Sequence, residues 1–237
     1  MFGGTKVLAR FTLYDFIAVI IPGAFLLWAA GAVSHAPELA VVTLGGGFAE
    51  ASVFIVLSYI VGLILSAASE QLTEKLLLAI WRGYPSARWL LDEDTTFSEQ
   101  YKAEFWICLR KTFDTERPTA GTGADRPSRL RRNQEVFYRC YRSVEKVSEM
   151  PQIFNAQYGL FRSLLTAFVF LGIIGLGNIL ARGAAGMAVG RGDIRTLALL
   201  LAGAVASYWR VKKRGEDFAR AVFDGFLSNF GRNAPTT

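Results

Sequence analysis

The chain has 237 residues, of which 52% are hydrophobic and 19% are charged, and it carries a formal net charge of +6. A soluble domain usually has about 25% charged residues, so this composition argues against a soluble globular protein. In a membrane protein, a basic excess usually marks cytoplasmic loops that face anionic lipid. The charge therefore favours a lipid bilayer over nucleic acid as the partner of the chain.

The first apolar block is residues 16–33, which follow a short cytoplasmic lead of residues 1–15. The block has no charge, and as a helix it nearly covers a hydrocarbon core of about 30 Å, which predicts transmembrane helix 1. A cleaved signal peptide is the alternative, but the block is longer than a typical signal core. Pro22 and Gly23 weaken the helical ladder inside it, and we expect them to form a hinge.

Transmembrane helix 2 is predicted at residues 51–68, after an external loop of residues 34–50 that contains no Lys or Arg. Gly62 and Ser66 form a pair of small residues four positions apart in this block. Such pairs let another helix approach closely, so we expect a helix contact here.

Residues 69–162 are predicted to form a helical cytoplasmic domain between the second and third spans. Apolar residues recur at helical spacing on both sides of residues 115–128, whereas that stretch is rich in Gly, Pro and Thr. We therefore expect a flexible loop at 115–128.

Two further apolar blocks follow this domain. Residues 163–181 are long enough for transmembrane helix 3, whereas residues 196–209 would reach only about 21 Å as transmembrane helix 4. The glycine-rich residues 182–195 are predicted to be an external loop, and residues 210–237 an amphipathic cytoplasmic tail helix. Small residues favour close helix packing in these spans. The candidate packing positions are Gly62, Ser66, Gly172, Gly175 and Gly203.

These elements predict an all-α membrane protein with four transmembrane helices, a helical cytoplasmic domain inserted between the second and third, and an amphipathic C-terminal helix. With four spans, all but three of the 26 Lys and Arg residues lie on one side. The positive-inside rule then places both termini and the inserted domain in the cytoplasm. We therefore expect a multi-pass protein of the inner (plasma) membrane.

Motifs for catalysis or cofactor binding are missing from the sequence. It has no Walker-type phosphate loop, no His-Glu-x-x-His, no Gly-x-Ser-x-Gly and no Cys-x-x-Cys. The single histidine, His35, falls in the predicted external loop. Cys108 and Cys140 match no metal-ligand spacing, which indicates reduced thiols. We expect no enzyme activity, no catalytic residues, no metal and no cofactor.

A local cluster of arginines lies in the predicted cytoplasmic domain, interleaved with aromatic residues. The preferred interpretation is a solvated helix face near anionic lipid headgroups, and a site for a phosphorylated ligand or nucleic acid is the alternative. The cluster consists of Arg126, Arg129, Arg131, Arg132, Arg139 and Arg142.

Asn155, Tyr158 and Arg162 have the spacing of one helix face, just inside the bilayer. Glu70 and Glu74 are expected at the same depth, directly after the second span. We predict that these five residues form a network that clamps two helices together. A gating or sensing role for the network is the alternative.

Asn178 is a polar residue inside the third predicted span. We expect it to make one hydrogen bond between helices near the outer surface, and the lining of a pore is the alternative.

Two short patterns carry a resemblance. The first is Leu-Tyr-Asp-Phe at 13–16 with Ile-Pro-Gly at 21–23, and the second is Asn155-x-x-Tyr158-x-x-x-Arg162 leading into the third span. Together they resemble uncharacterised bacterial inner-membrane proteins with four spans, some of which are thought to belong to phage-defence or stress loci. The resemblance implies a membrane-located sensor or effector.

The leading hypothesis is a non-enzymatic sensor, scaffold or membrane-perturbing effector. Its cytoplasmic helices would bind a protein partner, and its spans would form a bundle in a homo-oligomer. A small channel or transporter is the alternative, although the deep spans carry no acid or base for ion coupling. A third hypothesis is a lipid-acting membrane enzyme that would use Asp15, Glu70 and Glu74.

Overall fold

The computed structural model describes residues 16–34, 47–117 and 125–231. Within these residues the chain is helical and contains no strand, which confirms the prediction of an all-α protein. Asp15 of the lipid-acting-enzyme hypothesis, His35, and most of the predicted external loop at 34–50 lie outside the described residues.

The described helices are eight α-helices and three π-helical segments, in which each turn is wider than in an α-helix. The first π segment precedes α1, the second joins α2 to α3, and the third follows α8. In chain order the α-helices are α1 (Ile21–Ser34), α2 (Phe48–Ala68), α3 (Lys75–Trp81), α4 (Pro85–Arg88), α5 (Glu99–Phe113), α6 (Arg126–Val144), α7 (Met150–Ala184) and α8 (Arg191–Phe226), and the π segments are Phe16–Ile20, Ser69–Glu74 and Leu227–Gly231.

Three helical stretches are long and apolar enough to cross a membrane: Phe48–Arg88, Met150–Ala184 and Arg191–Gly231. They contain the predicted second, third and fourth spans, which is consistent with a multi-pass membrane protein. The first predicted span forms a shorter apolar helix, Phe16–Gly31. The block predicted as the fourth span, 196–209, is part of a much longer helix, Arg191–Phe226, because the helix continues through the charged residues on both sides.

The connection between the last two long helices is shorter than the predicted loop at 182–195. Helix α7 continues to Ala184, and Gly186 then adopts a left-handed backbone with φ of 69°, which an L side chain rarely adopts. Helix α8 begins at Arg191, where the Asp193 carboxylate accepts a hydrogen bond from the Gly190 N–H at 3.1 Å. A left-handed glycine and an acidic cap therefore set these helix ends, and neither is visible in hydropathy.

Helix α6 likewise begins earlier than the predicted loop at 115–128 implied. The Asp125 carboxylate accepts a hydrogen bond from the Ser128 N–H at 3.1 Å and caps a helix that starts at Arg126. The hydrogen bond from the Ser128 side chain, and then that from its backbone N–H, lowers the pKa of Asp125 from its usual value. Residues 118–124, the centre of the predicted flexible loop, lie outside the described residues.

The chain divides into two compact units. The first unit comprises Met1–Leu76 and Ala156–Lys212, and the second comprises Leu77–Asn155 and Lys213–Thr237. In the first unit, Ala29, Val33, Leu171 and Leu200 form a buried apolar cluster. This cluster joins α1, α7 and α8.

The second unit has a core of aromatic rings from α5, α6 and the end of α8. Phe105, Phe137 and Phe223 are almost completely buried. The Phe223 ring meets the other two edge-to-face, with centroids 5.2 Å from Phe105 and 5.5 Å from Phe137. Such arrangements match the charge distribution of aromatic rings, so the helices are held by specific packing as well as by burial.

Candidate functional site

Arg162 is the centre of a polar cluster in the first unit. It lies on α7, and its guanidinium group faces the π segment Ser69–Glu74. The guanidinium donates hydrogen bonds to the Ser69 hydroxyl at 3.0 Å, to Glu74 at 2.5 Å and to Glu70 at 3.0 Å. One side chain therefore holds three positions of the neighbouring helical stretch.

The two carboxylates differ in their exposure to solvent. The Arg162 side chain is 7% exposed and that of Glu74 is 14% exposed, whereas that of Glu70 is 56% exposed. A buried guanidinium is costly unless it is paired and hydrogen-bonded, and here both conditions are met. The buried Arg162–Glu74 pair is the inner part of the site, and Glu70 forms its accessible edge.

An aromatic ring covers another side of the guanidinium. The Arg162 Cζ atom lies 5.7 Å from the centroid of the Tyr158 ring, within the range of a cation–π contact. The planar guanidinium suits this environment, because it stacks on a ring while its N–H groups point to carboxylates.

The π segment carries hydroxyl groups that belong to the same cluster. The Ser69 hydroxyl donates to the Ser66 carbonyl oxygen at 2.7 Å. The Thr73 and Thr166 hydroxyls lie 2.6 Å apart, and Thr166 donates to the Arg162 carbonyl oxygen at 3.0 Å. Because Thr166 has a single hydroxyl proton, Thr73 is the donor between the two threonines. π turns inside α-helices are frequent at functional sites, which makes this segment a candidate site.

The structure brings together four of the five residues of the predicted network. Glu70, Glu74 and Arg162 are in direct contact, and Tyr158 lies over Arg162. Asn155, the fifth predicted member, belongs to the second unit. Sequence reasoning missed the hydroxyl members Ser69, Thr73 and Thr166. Their only sequence signal is position, since Thr166 follows Arg162 by one helical turn.

The predicted hinge residues lie where two helices meet closely. Pro22 is fully buried, and the π segment Phe16–Ile20 ends just before it. Proline lacks the N–H that would continue the helical ladder, which accounts for a wide turn at this point. A Cβ atom on Gly23 would overlap the Ser58 carbonyl oxygen, and one on Gly62 would overlap the Val19 carbonyl oxygen.

The other candidate packing positions differ in their surroundings. A Cβ atom on Gly203 would lie 2.5 Å from the Phe168 ring, whereas one on Gly175 would make ordinary contact with Val33 at 3.5 Å. A Cβ atom on Gly172 would meet no heavy atom within 4 Å among the described residues. Ser66 contributes its carbonyl oxygen to Ser69. Gly203 and Gly62 thus allow close contacts inside the first unit.

The predicted arginine patch is partly neutralised at its N-terminal end. Arg129 pairs with Glu93 at 3.2 Å, and Arg126 lies 3.7 Å from the same carboxylate. Arg132 donates to the Glu116 carbonyl oxygen at 3.0 Å. The remaining members are exposed and make no ion pair with the described residues. They are Arg131, Arg139 and Arg142.

Asn178 makes a hydrogen bond between helices. Its amide nitrogen donates to the Val33 carbonyl oxygen near the end of α1, at 3.1 Å. It also lines a cavity between α1, α7 and α8.

Among the described residues there is no group of three or more His, Cys, Asp and Glu side chains that could hold a metal ion. Cys108 and Cys140 are buried free thiols in the second unit, and burial raises the pKa of both. Comparison of the chain with protein-family models, curated proteins and solved structures gives no match. The geometry of the Arg162 cluster is therefore the main basis for a functional argument.

Proposed function

We propose that the chain is a non-enzymatic bacterial inner-membrane protein that acts as a sensor, scaffold or membrane-perturbing effector. A helical cytoplasmic domain would be coupled to a bundle of four spans in a homo-oligomer, with both termini in the cytoplasm. The observation that carries this proposal is the contact of Arg162 with Ser69, Glu70 and Glu74 on a π segment.

The Arg162 cluster has the properties of a switch element. Its charges stand next to apolar helices, where the free energy of a charged side chain depends strongly on its partners. One arginine paired with two glutamates leaves the cluster with a net negative charge. The stability of its ion pairs would therefore respond to nearby cations, to lipid headgroups and to the membrane potential. The π segment supplies a local departure from α-helix that a change of partner could relax.

Chain connectivity supports coupling between the two units. The chain passes from one unit to the other inside α3, α7 and α8, at Leu76–Leu77, Asn155–Ala156 and Lys212–Lys213. A helical connection transmits a local change better than a flexible linker does. We infer that a partner of the cytoplasmic helices acts on the spans through these helices.

The exposed apolar side chains of the first unit indicate that this unit is surrounded by lipid or by further copies of the chain. Trp28 is 64% exposed, Ile173 is 62% exposed and Leu199 is 72% exposed. Apolar surface of this extent is normally covered by lipid or by another protein. Close helix contacts between copies would use small residues, and Gly172 offers open space for one.

The proposal is tested in bacterial cells that produce the full chain, by membrane potential with a voltage-sensitive dye and by oligomer size in mild detergent. We expect Arg162→Gln to insert normally but to change one or both readouts. Arg195→Gln is the matched control, because it removes an exposed arginine of the first unit. Deleting residues 91–150 should abolish the effect of the chain on the membrane potential of the cells, while its insertion into the membrane persists. The proposal is wrong if Arg162→Gln and the deletion both behave as the unaltered chain.

A small channel or transporter is the second candidate, and two buried hydroxyls favour it. Ser58 and Ser163 are fully buried, and their hydroxyl oxygens have no hydrogen-bond partner among the described residues. Buried polar groups of this kind often bond ordered water, which a conducting path would contain. Ion flux into liposomes that hold the purified chain decides between the candidates, because a scaffold gives no flux above empty liposomes.

A further inference from the structure

Helix α8 carries an exposed apolar stripe in the first unit. Leu201 is 66% exposed, Val205 is 51% exposed and Trp209 is 62% exposed. These residues recur every four positions, so they lie along one face of the helix and cover about 12 Å of its length. One hydrocarbon leaflet is about 15 Å thick, half of the core of a bilayer. The stripe therefore offers an acyl chain a surface that extends over most of one leaflet.

The stripe ends at an aromatic ring that is followed by basic side chains. Trp209 is the last residue of the apolar block 196–209. Arg210 and Lys212 follow it on the same helix, and both side chains are exposed. Around the helix axis they lie on either side of Trp209, at about 100° and about 60° from it. An exposed tryptophan at the end of an apolar span is typical of the membrane–water interface, where the ring lies at the level of the headgroups.

Ion pairs within the chain distinguish the four basic residues of segment 210–214. Lys213 Nζ lies 3.0 Å from Asp217 Oδ1, and Arg214 Nη1 lies 3.1 Å from Asp217 Oδ2. Arg210 and Lys212, in contrast, make no ion pair with the part of the chain that the structure describes. Their two positive charges are therefore available to an anion from outside the chain.

The bilayer is the nearest source of such an anion. Arg210 and Lys212 follow the apolar block by one and three positions, which is at most about 5 Å along the helix. This is the depth of lipid headgroups, and it is shorter than the Debye length of about 8 Å at physiological salt. The long side chains of Arg and Lys also reach headgroups while their stems stay on apolar surface.

We propose that Trp209, Arg210 and Lys212 form a binding site for a phospholipid with a net negative headgroup, such as phosphatidylglycerol. The Arg210 guanidinium and the Lys212 ammonium group donate to the oxygens of the headgroup. The Trp209 ring lies at the level of the glycerol backbone, and an acyl chain runs along Val205 and Leu201. The assignment does not depend on the function proposed for the Arg162 cluster.

The binding test uses the full chain, delipidated in mild detergent, with added lipids counted by native mass spectrometry. Phosphatidylglycerol should bind at least about tenfold more tightly than phosphatidylcholine, because a basic residue near an anionic headgroup contributes about fivefold in affinity and the site has two. The preference should shrink as the concentration of ammonium acetate rises, since salt screens exposed charges. This comparison needs no variant, so it is decided even if a substituted chain fails to fold.

Two neighbouring lysines supply a matched pair of variants. Lys212→Gln should weaken phosphatidylglycerol binding about fivefold and leave phosphatidylcholine binding unchanged. Lys213→Gln should change neither, because the charge of Lys213 is already paired with Asp217. Arg210→Gln should behave as Lys212→Gln does. Lys212→Arg keeps the positive charge, and it should bind phosphatidylglycerol as the unaltered chain does.

Two tryptophans of similar exposure test the aromatic part of the site. Trp209→Leu should weaken the binding of phosphatidylglycerol and of phosphatidylcholine by the same factor, because the ring anchors the lipid without recognising its charge. Trp28 is 64% exposed but lies in the uncharged block 16–33. Trp28→Leu should therefore leave the affinity for the first bound phosphatidylglycerol unchanged.

Four results would overturn the proposal. The first is equal affinity for phosphatidylglycerol and phosphatidylcholine. The second is an equal loss in Lys212→Gln and Lys213→Gln, which would mean that the net charge of this segment attracts lipid without a defined site. The third is unchanged binding in Trp209→Leu. The fourth is competition by free glycerol phosphate at the same concentration as the lipid, because the acyl chain would then contribute nothing and the ligand would be a small soluble anion.

Discussion

Gly23 packs against Gly62 so closely that a Cβ atom on Gly23 would lie 2.7 Å from the Gly62 backbone nitrogen. Gly62 makes a similarly close contact, because a Cβ atom on Gly62 would overlap the backbone of Val19, four residues before Gly23. Backbone-to-backbone packing of this sort is typical of helix pairs in membranes, where small residues replace the hydrophobic effect as the source of association. The helical stretch 16–34 therefore packs against α2 through close backbone contacts that only glycine allows at these two positions.

Alanine at either of these glycines should destabilise the first unit. Gly23→Ala and Gly62→Ala each add a methyl group where backbone already stands, and overpacking of this kind costs about 1–3 kcal/mol. Gly172→Ala is the control, since its Cβ atom meets nothing within 4 Å and alanine gains up to about 1 kcal/mol of helix propensity. Unfolding in increasing SDS measures all three. Equal midpoints for the three variants would contradict the close contact.

Pro22→Ala should convert the π segment Phe16–Ile20 toward α-helix. Alanine restores the N–H that proline lacks, so the helical ladder can continue back through this segment. We expect slower amide exchange at 16–20 in lipid nanodiscs, unchanged membrane insertion, and an altered cellular effect. Exchange of residues 48–68 in the same sample is the internal reference. Unchanged exchange and an unchanged cellular effect would make Pro22 a packing residue without a hinge function.

The two glutamates of the Arg162 cluster should differ in their contribution to stability. Glu74→Gln leaves a buried guanidinium short of its main partner, and breaking a buried pair costs about 3–5 kcal/mol. Glu70 is more than half exposed, and a surface pair contributes about 0–1 kcal/mol. SDS unfolding of each variant, alone and combined with Arg162→Gln, gives the coupling energies. Similar losses for both glutamates would show that the burial difference has no energetic consequence.

The ion pairs of Arg162 with Glu70 and Glu74 could be predicted from the sequence, because the ends of the apolar blocks place all three residues at the same depth relative to the bilayer. Both glutamates follow the second block by a few residues, and Arg162 directly precedes the third. The hydroxyl partners could not be predicted in the same way. A π turn rotates the residues around it away from α-helical positions, so the direction of Ser69 and Thr73 depends on a backbone feature that periodicity does not show.

Ion pairs between charged side chains that are far apart in the chain could not be predicted from the sequence either. Asp92, Glu93 and Asp94 form an acidic turn. Asp92 pairs with Arg117 and Glu93 with Arg129, which lie 25 and 36 positions further along the chain, whereas Asp94 pairs with the nearby Arg88. Glu93 pairs with both Arg126 and Arg129, which reduces the net positive charge of the predicted arginine patch. Charge counts along the chain cannot show such neutralisation, because it depends on how loops return to the same surface.

The two cysteines should be poorly reactive in the folded chain. Cys140 is completely buried and Cys108 is 5% exposed, and burial raises the pKa of both thiols, so little thiolate forms near neutral pH. We expect maleimide labelling at pH 7.5 to be more than about tenfold slower than in the SDS-unfolded chain, with Cys140 the slower of the two. Labelling is read by mass. Rapid modification of Cys140 in the folded chain would contradict the aromatic core of the second unit.

The ionic contacts at the start of α5 should give the second unit a local dependence on acid. Lys102 is fully buried, and its ammonium group donates to the carbonyl oxygens of Leu91 and Asp94 and to the Glu99 carboxylate. The hydrogen bond from Lys102, and then that from Arg117, lowers the pKa of Glu99 below its usual value of 4.5. A lowered pKa stabilises the fold above the unfolded-state pKa, and this stabilisation is lost as pH falls through the folded-state pKa.

Glu99→Gln should therefore speed amide exchange of residues 99–113 at pH 7 relative to the unaltered chain measured at the same pH. The difference between the two chains should begin to shrink as the pH falls below the usual Glu99 pKa of 4.5. It should disappear only once the pH falls through the lowered pKa of Glu99 in the folded chain, because Glu99 is then protonated there as well. Glu104→Gln is the control, since it removes an exposed carboxylate from the same helix. Hydrogen exchange read by mass spectrometry follows the local segment without requiring the spans to unfold. A difference that stays constant from pH 7 to pH 3 would mean that the Glu99 charge contributes nothing and that only its size and shape matter.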